Sequence, residues 1–503
     1  MNSKSKFNVL QQQFIEQYEE LFQNRLAKKT VVVIPSLTLD SEILSKISGH
    51  CYYEERMLCL LLLLKMPETR VTFVTSLPVS GLIIDYYLHM LPGITPLHAR
   101  NRLTLLSCFD SGNEPLTEKI LKRPRLIQRI KDSIHDNKVA HIAFFNVTES
   151  EKKLTEELGI PVYGCDPALN YLGSKSGGRK LFKKCNVPVP SGFEDLYTQD
   201  DLIKALAELY IANPSLKKAV VKINEGFSGD GNAIFNYTDM PSEKDQVHDV
   251  IKANFKKNLK IVASNLKYSK FINKFMIEGG IVEEFVHGDK VTSPSVQCRI
   301  NPLGEVSIIS THDQVLSGES NQVFSGAIFP ADKEYSREIS DLSYAIATEM
   351  KDLGVLGRFA IDFMSVKSGN QWLHFAIEIN LRKGGTTHPY LMLQFLTDGK
   401  YDRESGYYHL KDGQVRYYYA TDNLVNEAYI GLTPLDLLDI VMYHGLHYDH
   451  TKEEGVMFHL ISALSQYGKI GLVSIGSSHE RAFSFYKQVV EVLDMETSNS
   501  PLS

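Results

Sequence analysis

Residues 371–390 read QWLHFAIEINLRKGGTTHPY. A hydrophobic run ends in Glu378-Ile379-Asn380, and Arg382, a glycine pair and His388-Pro389 follow at once. Side chains alternate along a strand, so Glu378 and Asn380 share a face, about 7 Å apart. A carboxylate and an amide oxygen at that spacing suit Mg²⁺, which favours oxygen ligands. Upstream, residues 357–363 (GRFAIDF) read as a second strand with one inward carboxylate, Asp362. Lys367-Ser368-Gly369-Asn370 between the two is a turn, which makes them a hairpin. Any one of these polar residues alone is ordinary strand polarity. Three oxygen ligands and an arginine converging on one hairpin face favour a metal site.

The rest of the chain bounds that reading. With 503 residues it is too long for one simple core, and two to four domains are expected. A hydrophobic fraction of 43% with 23% charged residues is that of a folded globular protein and excludes a largely disordered one. The net charge of −6 comes with no long basic block, so nucleic acid is not expected as a partner. Cys51, Cys59, Cys108, Cys165, Cys185 and Cys298 form no CxxC pair and read as buried thiols of a reducing compartment. The start, MNSKSKFNVLQQQF, lacks the apolar core of a signal peptide. The most membrane-like run, residues 57–64, is bracketed by Arg56 and Lys65 and falls far short of the ~20 residues a bilayer needs. It is a core helix, and the expectation is a cytoplasmic protein with no membrane partner.

From the N-terminus, residues 1–28 form a polar helical lead-in with apolar marks at Phe14, Tyr18, Leu21 and Phe22. Strands at 30–35, 70–75, 103–108 and 141–145 then alternate with helices at 53–65, 82–91 and 116–134. That alternation implies a parallel sheet covered on both faces, ending near Cys165. No GxGxxG follows the first strand, so a Rossmann dinucleotide site is unsupported.

Around Pro167 the pattern changes. Residues 173–192 read as a short basic helix that stops before Pro188 and Pro190. Lys175 precedes its first turn, where backbone amides favour an anion, although a lysine there is more often merely solvated. A strand over 217–223 delivers Lys222, and the loop after it carries Gly226, Ser228, Gly229 and Gly231. Such a loop lets amides close on phosphate oxygens; a hairpin turn at Asp230-Gly231 accounts for it equally well.

Residues 244–274 are basic and read as helical. The strand after them runs into Glu283-Glu284-Phe285-Val286, which suits a hinge where an adenine reads backbone groups between apolar side chains. Asp289 is placed to accept from ribose hydroxyls. Strands at 295–299, 305–311 and 322–329 and a helix at 336–353 lead to the metal hairpin. From Gly399 a further α/β unit carries strands at 415–420, 456–460 and 470–474 and helices at 434–443 and 480–493. His444, His447, Asp449 and His450 invite a transition-metal reading, but a solvated helix end or substrate-facing patch is the favoured explanation. His459 is a candidate wall of an acceptor pocket, and the tail from Thr497 is polar.

The order of these parts resembles the ATP-grasp superfamily. GSKSGGRKLFKKCNVPVP and IEINLRKGGTTHP are similar in spacing to segments of biotin carboxylase, and six such motifs stand in order across residues 173–389. More narrowly, YYEERMLCLLLLLKMP, LTEKILKRPRLIQRI and GVMFHLISALSQYGKIGLVSIGSS are similar to text of the pheganomycin-type peptide ligases. The resemblance implies an α/β chain, α+β in its middle part. Its divisions are a pre-ATP-grasp domain (1–170), a two-lobed ATP-grasp domain (171–398) and a smaller C-terminal α/β domain (399–503). It also implies an ATP-dependent ligase that activates a small carboxylate as an acyl phosphate and couples it to an amine or peptide.

Carried over, Lys175 and Lys222 bind phosphates and the loop from Gly226 to Gly231 is a lid. Glu283, Glu284, Phe285 and Val286 form the adenine hinge, with Asp289 at the ribose. Asp362, Glu378 and Asn380 hold two Mg²⁺ ions (Mn²⁺ is an alternative), and Arg382, with Lys222, is catalytic. The rival class is a nucleotide-binding regulatory or scaffold protein, against which the intact set around Arg382 argues. A homodimer is an option the sequence leaves open.

Overall fold

The N-terminal strand β1 (Lys29–Ile34) is KTVVVI and is buried at every position. Five β-branched residues in succession, Thr30 to Ile34, fit because both faces of its sheet are covered. β1 lies between β2 (Thr69–Thr75) and β4 (Ala140–Phe144), with β3 (Leu103–Ser107) outside β2, and all pairings are parallel. Leu116, Ile120, Ile130, Leu154 and Leu158 cover one face. The helix His50–Lys65 covers the other with Leu58, Leu61 and Leu62. The helix expected over 116–134 is two, Leu116–Leu121 and Pro124–Asp132. Pro124 has no amide to continue the first and takes the opening turn of the second. This computed structural model describes residues 5–39, 44–45, 47–226, 231–263, 266–317 and 323–498.

A second sheet is antiparallel: β5 (Gly192–Leu196), β6 (Lys218–Ile223), β7 (Asn232–Asn236), β8 (Leu259–Ile261) and β9 (Gly280–Glu284), in the order β5-β9-β6-β7-β8. The helices Gln199–Ala212, Lys244–Asn258 and Tyr268–Glu278 pack on it through Leu206, Ile251, Phe255, Phe271 and Phe275. The single helix expected over 244–274 is therefore broken. Leu259 leaves the helix in extended conformation and pairs with Phe235, so tertiary pairing overrides local propensity.

The third sheet begins with β10 (Lys290–Thr292), β11 (Pro294–Ile300), β12 (Val306–Ser317), β13 (Val323–Phe329) and the hairpin of β14 (Gly357–Ser368) and β15 (Gln371–Asn380). After the helix Thr387–Thr397 comes a ribbon of β16 (Lys400–Asp402) and β17 (Tyr407–His409). Then come β18 (Tyr417–Val425), β19 (Gly455–His459) and β20 (Lys469–Gly476). The order is β10-β14-β11-β12-β13-β18-β20-β19, with β15 also on β14. The strands after residue 399 thus extend the preceding sheet, with Ala327 opposite Ala420 at the join.

One apolar core unites the start and the end of the chain. Tyr87 donates its hydroxyl to the Phe458 carbonyl at 3.0 Å, and the Ser462 amide donates to Glu55 at 3.2 Å. All six cysteines are free thiols; Cys51 and Cys185 are half-exposed rather than buried. Among the described residues no helix is long and apolar enough to cross a membrane.

Candidate nucleotide and metal site

Hairpin register places the first two residues of the site. Asp362 stands opposite Glu378, and Ala360 opposite Asn380. The Asn380 amide donates from Nδ2 to Asp362 at 2.9 Å. That bond fixes the amide and leaves its oxygen as the atom for a cation. Ser295 and Gln314 on the neighbouring strands also donate to Asp362. Burial, and then the Glu378 charge, push the Asp362 carboxyl up to about 6. Burial acts on Glu378 in the same sense, but Lys175, with Arg382 and Lys222 farther off, more than offsets it and holds that carboxyl below its ordinary value.

Lys175 reaches Glu378 because of how its helix begins. Ser174 caps the helix Lys175–Lys184, accepting from the Gly177 amide at 3.0 Å. The Ser176 amide is bound by the Asn224 side chain at 2.9 Å, which ties the helix to the end of β6. Lys175 is buried and its ammonium contacts Glu378. Lys222, two residues before Asn224, contacts Glu283. The other oxygen of Glu283 accepts from Arg179 at 3.0 Å, and Arg179 also donates to the Pro190 carbonyl at 2.9 Å. Gly280 makes this possible. A Cβ there would sit 2.2 Å from the Lys222 carbonyl, so β9 can approach Lys222 only with glycine.

The expected set is thus brought together in part. Lys175, Asp362, Glu378 and Asn380 meet, and Arg382 is close enough for its charge to act on both carboxylates. Glu283 lies on β9 with its side chain engaged by Lys222 and Arg179. Farther on, the Glu284 amide donates to Ser191, the Phe285 amide to Lys218, and both side chains are half-buried, as is Val286. Asp289 is exposed, its amide bonded to Lys367. Gly231 closes back on Ile223, and Gly226 lies against it. Ser228 and Gly229 lie outside the described residues.

A cleft of ≈ 600 Å³ opens over this cluster. Glu378, Asn380 and Arg382 form one wall, and Asn224 and Gly226 another. Lys270, Lys274 and Glu278 on the helix Tyr268–Glu278 contribute a third, while Thr38, Asn146 and Thr148 close it from the N-terminal sheet. The sequence alone assigns no role to Asn224, Arg179 or these helical residues. A signal was present: Lys175/Arg179 and Lys270/Lys274/Glu278 are spaced by four and so share helix faces. Among the described residues His444, His447, Asp449 and His450 do not converge as metal ligands, in keeping with the helix-end reading. His444 pairs with Glu496 at 2.9 Å instead.

The family model described as IQCH-like, ATP-grasp matches residues 167–260 and 264–404, and the PGM1 C-terminal domain model matches 436–488. The chain is 28% identical over 476 residues to L-propargylglycine–L-glutamate ligase of Streptantibioticus cattleyicolor, covering 92% of this chain and 94% of the relative. It is 22% identical over 386 residues to IQ motif-containing protein H of Danio rerio, covering 68% of this chain but only 36% of that protein. Biotin carboxylase of Campylobacter jejuni, solved as a β,γ-ATP complex, superposes with a TM-score of 0.55 at 13% identity. That likeness spans 95% of this chain and 96% of the other, and it shows a shared fold.

Proposed function

We propose that this chain, an ATP-grasp protein by fold, is an ATP-dependent ligase joining a carboxylate to an amine, with amino acids or short peptides as substrates. The observation that carries this reading is the all-oxygen cluster of Asp362, Glu378 and Asn380, flanked by Lys175 and Arg382 on one cleft. Two carboxylates facing each other in a buried hairpin, one of them pushed up to about 6, suit a hard divalent cation. The similarity to an amino-acid ligase along nearly its whole length supports the amine-acceptor and peptide-type part of the proposal.

In this account Asp362, Glu378 and Asn380 hold Mg²⁺, whose chemistry is to neutralise phosphate oxygens. Lys175 and Lys222 exchange their present carboxylate partners for phosphate oxygens of ATP. The hinge 283–286 takes the adenine, and Asp289 the ribose. The substrate carboxylate attacks the γ-phosphorus, which yields an acyl phosphate and ADP. The amine then attacks the carbonyl, and phosphate leaves. Arg382 serves both steps, because its planar fork matches phosphate geometry and stays charged.

The test is to supply Mg·ATP with pairs of L-amino acids and to follow ADP by coupled assay and amide products by mass spectrometry. ADP release that depends on both substrates, with an amide product of matching mass, is the expected result. Folded protein that shows no magnesium-dependent binding of ATP by calorimetry would overturn the reading.

A further inference from the structure

A second polar centre lies behind the arginine loop. His388 lies in the first turn of the helix Thr387–Thr397, Asp422 lies on β18 and His459 ends β19. Their exposures are 3%, 9% and 0%. His388 Nε2 lies 3.0 Å from Asp422 Oδ1, His459 Nε2 lies 2.6 Å from the same oxygen, and the two Nε2 atoms are 3.0 Å apart. Among the described residues this is the one group of three His, Cys, Asp or Glu side chains whose ligand atoms converge in this way.

With Asp422 ionised, no placement of protons on the two rings satisfies the triangle. If both Nε2 atoms carry hydrogen, two N–H groups crowd each other on the way to one oxygen. If one nitrogen gives up its hydrogen, its lone pair faces the carboxylate oxygen at hydrogen-bond distance. Each arrangement leaves a contact between like charges, whereas a cation at the centre satisfies all three. Neither ring makes another polar attachment, since both Nδ1 atoms are buried without a hydrogen-bond partner among the described residues. Asp422 is itself oriented: Arg56 faces its second oxygen at 3.4 Å, the outer-shell support that metal-binding carboxylates receive. Gly471 stands opposite His459, where a Cβ would lie 2.2 Å from Nε2, so the backbone leaves this room to the ring.

We propose that His388, Asp422 and His459 bind one divalent transition metal, zinc by ligand type, which ties the helix after the Arg382 loop to β18 and β19. Two imidazoles and one carboxylate suit zinc rather than Mg²⁺ or Ca²⁺, which take oxygen. Tetrahedral zinc sets its ligand atoms about 3.3 Å apart, so the triangle need open only slightly. Loop residues 382–387 lead directly into the first ligand, and the site thereby anchors the segment that carries Arg382. The inference stands on these residues alone and does not depend on the ligase reading.

The test begins with metal content by mass spectrometry of protein dialysed against metal-free buffer. About one equivalent of zinc per chain is expected in the wild type and in His444→Ala, and its loss in His459→Ala and Asp422→Asn. Wild-type protein stripped with a chelator and given Co²⁺ should develop a visible d–d band, and excess Mg²⁺ should not erase it. That second measurement needs no variant to fold. Wild-type protein that holds no transition metal, raises no Co²⁺ band and gains no thermal stability from Zn²⁺ overturns the proposal. Zinc retained in full by folded Asp422→Asn and His459→Ala overturns it equally.

Discussion

Asp362 and Glu378 face each other in register across the β14–β15 hairpin, yet their carboxyls are driven in opposite directions. Burial and the neighbouring Glu378 charge push Asp362 up to about 6, while Lys175 holds Glu378 low. The pair therefore carries a proton in mildly acidic solution, and it sits on Asp362. A ligand carboxylate must lose its proton to hold a cation. Apparent Mg²⁺ affinity should then be flat above pH 6 and fall about tenfold per unit below it. Titration of Mg²⁺-dependent nucleotide binding from pH 5 to 8 checks this; a flat profile would contradict the assignment.

Glu378→Gln removes one charge from that pair. Turnover should drop at least about a hundredfold, the scale of losing one stabiliser of transition-state charge. The same variant should move the acid limb of Mg²⁺ binding to lower pH, because Asp362 no longer faces a second carboxylate. Unchanged ADP formation in folded Glu378→Gln sinks the metal site.

Lys222 is joined to Glu283, which Arg179 also holds. Lys222→Ala should weaken ATP binding, and it should also cost stability, by about 1–3 kcal/mol, through the buried carboxylate it abandons. Adding Glu283→Gln should recover much of the stability but none of the ATP affinity. Equal recovery of both in the double variant would mean that Lys222 acts only through packing.

Burial pushes Glu55 up to about 7 from its ordinary value of 4.5. The folded value exceeds the unfolded one, so the folded state keeps a proton that the unfolded state loses. This group's contribution to stability is full below pH 4.5, declines as pH rises toward 7 and is flat beyond, amounting to roughly 3 kcal/mol. Glu54 is shifted in the same direction, so Glu55→Gln should remove about half of the combined slope. Denaturant midpoints at pH 5 and pH 8 measure it; wild type and variant changing in parallel would refute the argument.

What could be read in advance was local. The hairpin of Asp362, Glu378 and Asn380 follows from strand alternation and one turn. The parallel N-terminal sheet follows from alternating apolar runs, and Lys175 from its place at a helix start. The parts that escaped depend on long-range register. The join of β13 to β18 pairs strands some ninety residues apart. The Arg179–Glu283–Lys222 network exists only because β9 lies against β6. Likewise His388, Asp422 and His459 come from three elements whose sequence gives no common spacing. The sequence marks His459 as a candidate pocket wall and His388 as part of a motif, while Asp422 carries no signal at all.

The most direct measurement traps the activated carboxylate. A free carboxylate has no leaving group and repels an amine's attack, so phosphorylation has to come first. Mg·ATP, a panel of L-amino acids offered singly, and hydroxylamine in place of the amine should yield a hydroxamate with ADP and phosphate. Arg382→Ala should reduce that yield far more than it weakens ATP binding. AMP and pyrophosphate in place of ADP and phosphate would contradict the account at its centre.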